Sequence, residues 1–135
     1  MKRTIQFRLN TKEHRVSMEK ETLALDWIRN TALLKGTKEG CREGDCGACM
    51  ILLGERLNDA VVYRAATSCT LGLCDLDGKH VITIEGIAEA GLTPVMRAFL
   101  DEGASQCGFC SPGFIVSLTA MFVEGGPIEI GRAHV

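Results

Sequence analysis

Cys41-Arg42-Glu43-Gly44-Asp45-Cys46-Gly47-Ala48-Cys49 places three thiols within nine residues, at the spacing C-x4-C-x2-C. Gly40, Gly44, Gly47 and Ala48 surround them with minimal side chains, so the backbone can approach whatever the sulfurs hold. The segment from Lys35 to Gly47 carries four glycines and several charges and is expected to be a loop. Cys69 lies downstream as a fourth thiol, and Cys74, Cys107 and Cys110 complete a set of seven cysteines in 135 residues. An odd number in a chain without a secretory leader argues against a disulfide framework and for a metal site in a reducing, cytoplasmic setting.

The spacing is that of plant-type [2Fe–2S] ferredoxins. A two-iron cluster needs four thiolates, two on each iron, so a loop supplying three and a distant segment supplying one satisfies it. Loop N–H groups directed at the sulfurs would help set the potential. A structural zinc site is the alternative, but zinc sites usually arrange cysteines as two short pairs. The first-cluster ligands are expected to be Cys41, Cys46 and Cys49 with a fourth thiol downstream, Cys69 or its rival Cys74, the latter otherwise a small buried hydrophobe. Cys107 and Cys110 form a C-x2-C, by itself compatible with a redox pair or with half of a metal site.

Around this loop the first half reads as strands. Ile5, Phe7 and Leu9 alternate with polar residues, Asn10-Thr11-Lys12 forms a turn, and His14, Val16 and Met18 alternate again. Thr22 is expected to cap a helix carrying Leu23, Trp27 and Ile28. Met50 to Leu53 suits a buried strand, Asp75 to Lys79 a turn, and Val81 to Glu85 another strand. Past Gly86 the periodicity becomes helical. Thr93-Pro94 starts one helix, with Val95, Met96, Phe99 and Leu100 on its apolar side and Gly103 at its end. Ser111-Pro112 starts the next, with a stripe of Phe114, Ile115, Leu118, Met121 and Phe122 that Gly125-Gly126-Pro127 stops.

Net charge −2 and a pI near 5.9, without a basic block, give no reason to expect nucleic acid or an anionic membrane as partner. No stretch has the length and apolarity of a membrane span. No nucleophile–base arrangement or phosphate-binding glycine loop appears, so no catalytic residue is assigned. Trp27 reads as core, His14 and His80 as isolated solvated or core histidines, and Arg42, Glu43 and Asp45 as loop charges shaping the field at the thiols.

The C-x4-C-x2-C loop followed by Gln106-Cys107-Gly108-Phe109-Cys110-Ser111-Pro112-Gly113 resembles the iron–sulfur subunit of the molybdenum hydroxylases, the family of xanthine dehydrogenase, aldehyde oxidoreductase and carbon monoxide dehydrogenase small subunits. The likeness runs from about residue 3 to about residue 129. It implies an α+β fold, with a β-grasp ferredoxin-like domain over 1–86 and a helical [2Fe–2S]-binding domain over 87–135, a four-helix bundle in the family. It also implies electron transfer from a molybdopterin-binding large subunit, through two clusters, towards a subunit that binds FAD. By the same resemblance the Ser68-Cys69-Thr70-Leu71 context makes Cys69 the fourth ligand of the first cluster, Gln106 contacts the pterin, and Cys107 and Cys110 are half of the second cluster's ligands. The other half lies in a later Cys-x-Cys of the family that these 135 residues lack, so the expectation is a truncated chain with one complete site. Two departures accompany the likeness. Residues around Asn58 to Ala66 read as a longer loop than many members carry. Ile130-Gly131-Arg132-Ala133-His134-Val135 resembles the translation of a sequencing adapter, so the natural segment is expected to end near Glu129. Other readings are a freestanding ferredoxin-like carrier and an inactive fragment.

Overall fold

The computed structural model describes residues 2–125. Its elements are β1 (Arg3–Leu9), β2 (Lys12–Met18), α1 (Ala24–Asn30), β3 (Met50–Leu57), β4 (Ala60–Thr67), β5 (His80–Ile82), α2 (Ile84–Ile87), α3 (Pro94–Asp101) and α4 (Ser111–Glu124), with 3-10 turns at Ser68–Thr70 and Leu73–Leu76. The adapter-like tail and the end of the Gly125-Gly126-Pro127 stop lie outside the described residues.

The strands form one mixed sheet in the order β2-β1-β5-β3-β4. β1 and β2 make the expected hairpin, with Ile5 opposite Val16 and Phe7 opposite His14. Asn10 turns it at φ 55°, a left-handed conformation that asparagine tolerates. β5 lies parallel to β1 and antiparallel to β3. This is the β-grasp arrangement of an α+β chain.

β3 explains why its sequence is a continuous apolar run and not an alternation: both faces are covered. On one face Ile51 and Leu53 join Ile5, Phe7, Leu9, Trp27, Ile28 and Val81 in a core closed by α1 and the Leu73–Leu76 turn. On the other, Met50 and Leu52 pack with Val116 and Ala120 of α4. The last helix is therefore seated directly on the sheet. Full burial of each large side chain contributes about 1.5–3 kcal/mol. Trp27 is core, as expected, packed edge-on to Phe7 and to His14 with ring centroids 5.2 Å apart in each case.

Several expectations are corrected. Residues 58–66 are no mere loop: β4 pairs along its whole length with β3, from Met50 opposite Thr67 to Leu57 opposite Ala60. Asn58, at φ 56°, turns this hairpin. The cap of α1 is Leu23, not Thr22. The helix's first free N–H, at Ala24, goes to Leu71 O at 2.9 Å, so an antiparallel bridge replaces a side-chain cap. The strand expected to reach Glu85 ends at Ile82. Thr83 N–H donates to Asn10 Oδ1 at 2.9 Å, and the chain turns into α2.

Thr93 caps α3 as expected, its hydroxyl accepting from Met96 N–H, with Pro94 in the first turn. α4 begins one residue earlier than Ser111-Pro112 suggests, with Cys110 at the cap position. Its buried face is Gly113, Val116, Ser117 and Ala120. The expected stripe is on the other side, with Phe122 69% exposed. A helix apolar all round gives periodicity no face to choose.

Candidate metal centre

The loop between α1 and β3 brings the four expected first-site cysteines together. Cys49 ends the loop at the start of β3, and Cys69 sits in the 3-10 turn after β4. Both are buried, packed with Leu25. Ser68 fixes them to each other: its hydroxyl donates to Cys49 O at 2.7 Å, and its N–H reaches the same oxygen at 3.3 Å. Cys46 is exposed and Cys41 half-buried, so the other two thiols face outward. The thiols fall in two neighbouring pairs, Cys41 beside Cys46 and Cys49 beside Cys69, each close enough for one thiol to shift its neighbour's titration.

Backbone N–H groups crowd the outer pair. Cys41 Sγ accepts from Glu43 (3.4 Å), Asp45 (3.3 Å) and Cys46 (3.3 Å), while Cys46 Sγ accepts from Cys41 and Ala48, both at 3.5 Å. These donors lower the Cys41 thiol to about 7, the Cys46 N–H being the largest cause. Burial raises Cys69 to about 11, followed by the Cys49 thiol, while the Gly44 N–H opposes the rise. N–H groups aimed at sulfur favour the anionic thiolate, the form that ligates metal.

The close approach required of the loop is present. A Cβ at Gly40 would lie 2.7 Å from Cys46 Sγ. Gly44 and Gly47 have φ values of 77° and 76°, where only glycine is unstrained. Arg42 takes φ 58° despite its side chain, and its guanidinium is fully occupied in holding the loop. It bonds both Asp26 oxygens at 2.9 Å and Glu39 Oε1 at 2.8 Å. Arg42 is thus a mechanical anchor more than a free charge. Arg29 braces the loop's start, donating to Lys35 O and Thr37 O.

Four thiols supplied by one loop and one distant turn, with N–H donors aimed at the Cys41 and Cys46 sulfurs, fit a cluster of two irons taking two thiolates each.

Cys74 is elsewhere. Its thiol donates to Glu21 Oε2 at 2.5 Å, and its N–H reaches Glu21 Oε1 at 3.1 Å. The carboxylate raises this thiol's pKa and keeps it protonated.

Two family models match the chain: a 2Fe-2S iron-sulfur cluster binding domain over residues 7–74 and a [2Fe-2S] binding domain over residues 83–130. One of the subunits of nicotinate dehydrogenase from Pseudomonas putida is 38% identical over 122 residues, which cover 90% of this chain and 73% of that protein. The chain belongs to the [2Fe–2S] iron–sulfur family of the molybdenum hydroxylases. Xanthine dehydrogenase of Blastobotrys adeninivorans is 41% identical over 105 residues, 76% of this chain. The chain spans only 8% of that relative's length. The solved quinoline 2-oxidoreductase from Pseudomonas putida 86 matches with a TM-score of 0.79 at 26% identity, covering 98% of this chain and 77% of that one. A [2Fe–2S] cluster is the cofactor of this iron–sulfur family member.

The second family motif lies on the loop between α3 and α4. Cys107 and Cys110 are both exposed, and a 2.6 Å hydrogen bond between Ser105 and Ser111 hydroxyls ties the loop's ends. Gln106 is exposed, and its side-chain amide has no partner among the described residues. The structure also gives roles that the sequence did not announce to Asp26, Arg29 and Ser68: Asp26 and Ser68 act through contacts 16 and 19 residues away, and Arg29 through carbonyls six and eight residues on. No helix among the described residues is long and apolar enough to cross a membrane.

Proposed function

We propose that this chain is the iron–sulfur, electron-transfer part of a molybdopterin-dependent hydroxylase or dehydrogenase. Cys41, Cys46, Cys49 and Cys69 hold its first [2Fe–2S] cluster. Cys107 and Cys110 supply two of the four thiolates of a second, whose other ligands are not among these residues. The organisation is two cluster-binding units, residues 1–86 and 87–135. The observation that carries the reading is the gathering of Cys41, Cys46, Cys49 and Cys69 at one place, with five backbone N–H groups donating to the Cys41 and Cys46 sulfurs.

When bound, such a cluster accepts and releases one electron at a time. The chain's own contribution is to stabilise four thiolates, exclude water from the Cys49–Cys69 side and leave the Cys41–Cys46 side near the surface. Substrate chemistry belongs to a large molybdopterin-binding partner, and electrons leave towards an FAD-binding partner. The nicotinate, xanthine and quinoline oxidoreductases among its relatives support this. Gln106, exposed beside Cys107, is the proposed contact to the pterin.

Electron paramagnetic resonance of the reduced protein tests the ligand set. Cys69→Ser abolishes or strongly alters the first-cluster signal, while Cys74→Ser leaves it intact. The opposite pattern overturns the assignment.

A further inference from the structure

Gly113, in the first turn of α4, is buried against the cluster loop. A Cβ there would overlap the carbonyl oxygen of Gly47 and lie 3.2 Å from its carbon and 3.3 Å from the Cα of Ala48. All three obstacles are backbone atoms, so no rotamer change relieves them. They belong to the two residues between Cys46 and Cys49. The Gly47 carbonyl is itself fixed, accepting from Met50 N–H at 3.2 Å.

On the other side, Gly113 stands three residues beyond Cys110. Phe114 N–H donates to Cys110 O at 3.2 Å, closing the turn that connects them. The first turn of α4, one hydrogen bond away from Cys110, therefore meets the cysteine loop of residues 41–49 at bare backbone. Val116 and Ala120 hold α4 in this position on Met50 and Leu52.

We infer that Gly113 is a positioning residue for electron transfer: its close approach to Gly47 brings the first turn of α4, and with it the Cys107–Cys110 loop that leads into that turn, up to the cluster loop, so that electrons cross there to the first cluster. The inference rests on the iron–sulfur reading above and adds the route. The reduced cluster held at Cys107 and Cys110 would lose one electron and the oxidised first cluster would gain it; no bond forms or breaks and no proton moves.

The test uses a ruthenium–polypyridyl photoreductant attached at Cys107, in the cluster-loaded chain carrying Cys74→Ser and Cys110→Ser. A flash promotes one electron from ruthenium(II), leaving ruthenium(III), and bleaching of the cluster's visible absorption reads its arrival. Gly113→Ala is expected to slow arrival several-fold, with the cluster's absorption and reduction potential unchanged. Because a detached helix would also slow arrival, helix content is followed by circular dichroism. Ala120→Val, which crowds the same helix farther along without touching Gly47, serves as the second variant. It is expected to lower thermal stability and keep the rate. Transfer in Gly113→Ala as fast as in the parent, or equal slowing by Ala120→Val, overturns the inference. A parent chain that binds no cluster overturns the iron–sulfur reading instead.

Discussion

Arg42, in the cluster loop, grips Asp26 on α1 through two parallel hydrogen bonds of 2.9 Å each. The bidentate geometry holds Arg42 in a left-handed backbone conformation and thereby shapes the turn between Cys41 and Cys46. The pair is partly solvated, so its contribution to global stability is small, as for other surface pairs. Its larger effect is local. Arg42→Ala is expected to shift the melting temperature little but to release iron to a chelator markedly faster than the parent. Equal release rates would show that the loop keeps its shape without the grip.

The same pair gives a pH dependence. Arg42 holds the Asp26 carboxyl below the ordinary value of 3.8. A carboxyl depressed by folding contributes stability above its unfolded pKa and loses it as pH falls through the lower, folded value. Asp26→Asn is therefore expected to flatten the acid limb of the stability curve below about pH 4. Denaturant titrations of both proteins across this range check the sign. A steeper limb in the variant would contradict it.

Ser68 is buried and donates its hydroxyl to Cys49 O. Ser68→Ala removes that donor but leaves the Ser68 N–H on the same oxygen, so the carbonyl is not orphaned. The expected cost is about 0.5–1.5 kcal/mol, measured by urea denaturation of the metal-free chain. A loss near zero would mean that the backbone bond alone locks the Cys49–Cys69 pair.

How much of this was legible in the sequence depended on whether local chemistry or tertiary packing decided each element. Thr93-Pro94 and the C-x4-C-x2-C loop carry their own reasons, in a cap and in ligand spacing; the cap is where it was expected, and the loop brings its cysteines together. β4 was read as a loop because it is an edge strand. Val61 and Val62 are both exposed, so no clean inside–outside alternation marks it. The face of α4 was misjudged because Ile115, Leu118 and Phe122 are as apolar as Val116 and Ala120, and only the sheet selects between them. At the site, the four cysteines were legible from spacing and from resemblance. The contacts of Ser68, Asp26 and Gly113 were not, because each acts on a neighbour that the sequence places far away.

α4 is seated on the sheet through Met50, which touches both halves of the chain. Met50→Ala is expected to cost about 2–5 kcal/mol. It should also weaken hydrogen-exchange protection in β3 and α4 together. Protection lost from β3 alone would mean that the helix holds its place by other contacts.

The central claim is that four named thiols hold one [2Fe–2S] cluster, independently of Cys107 and Cys110. Iron and acid-labile sulfide measured per chain in the double variant Cys107→Ser, Cys110→Ser test it most directly. Ligation by Cys41, Cys46, Cys49 and Cys69 alone predicts about two irons and two sulfides, with one signal in the reduced-state resonance spectrum. Loss of iron and sulfide from that variant, or tightly bound metal without sulfide, would contradict it.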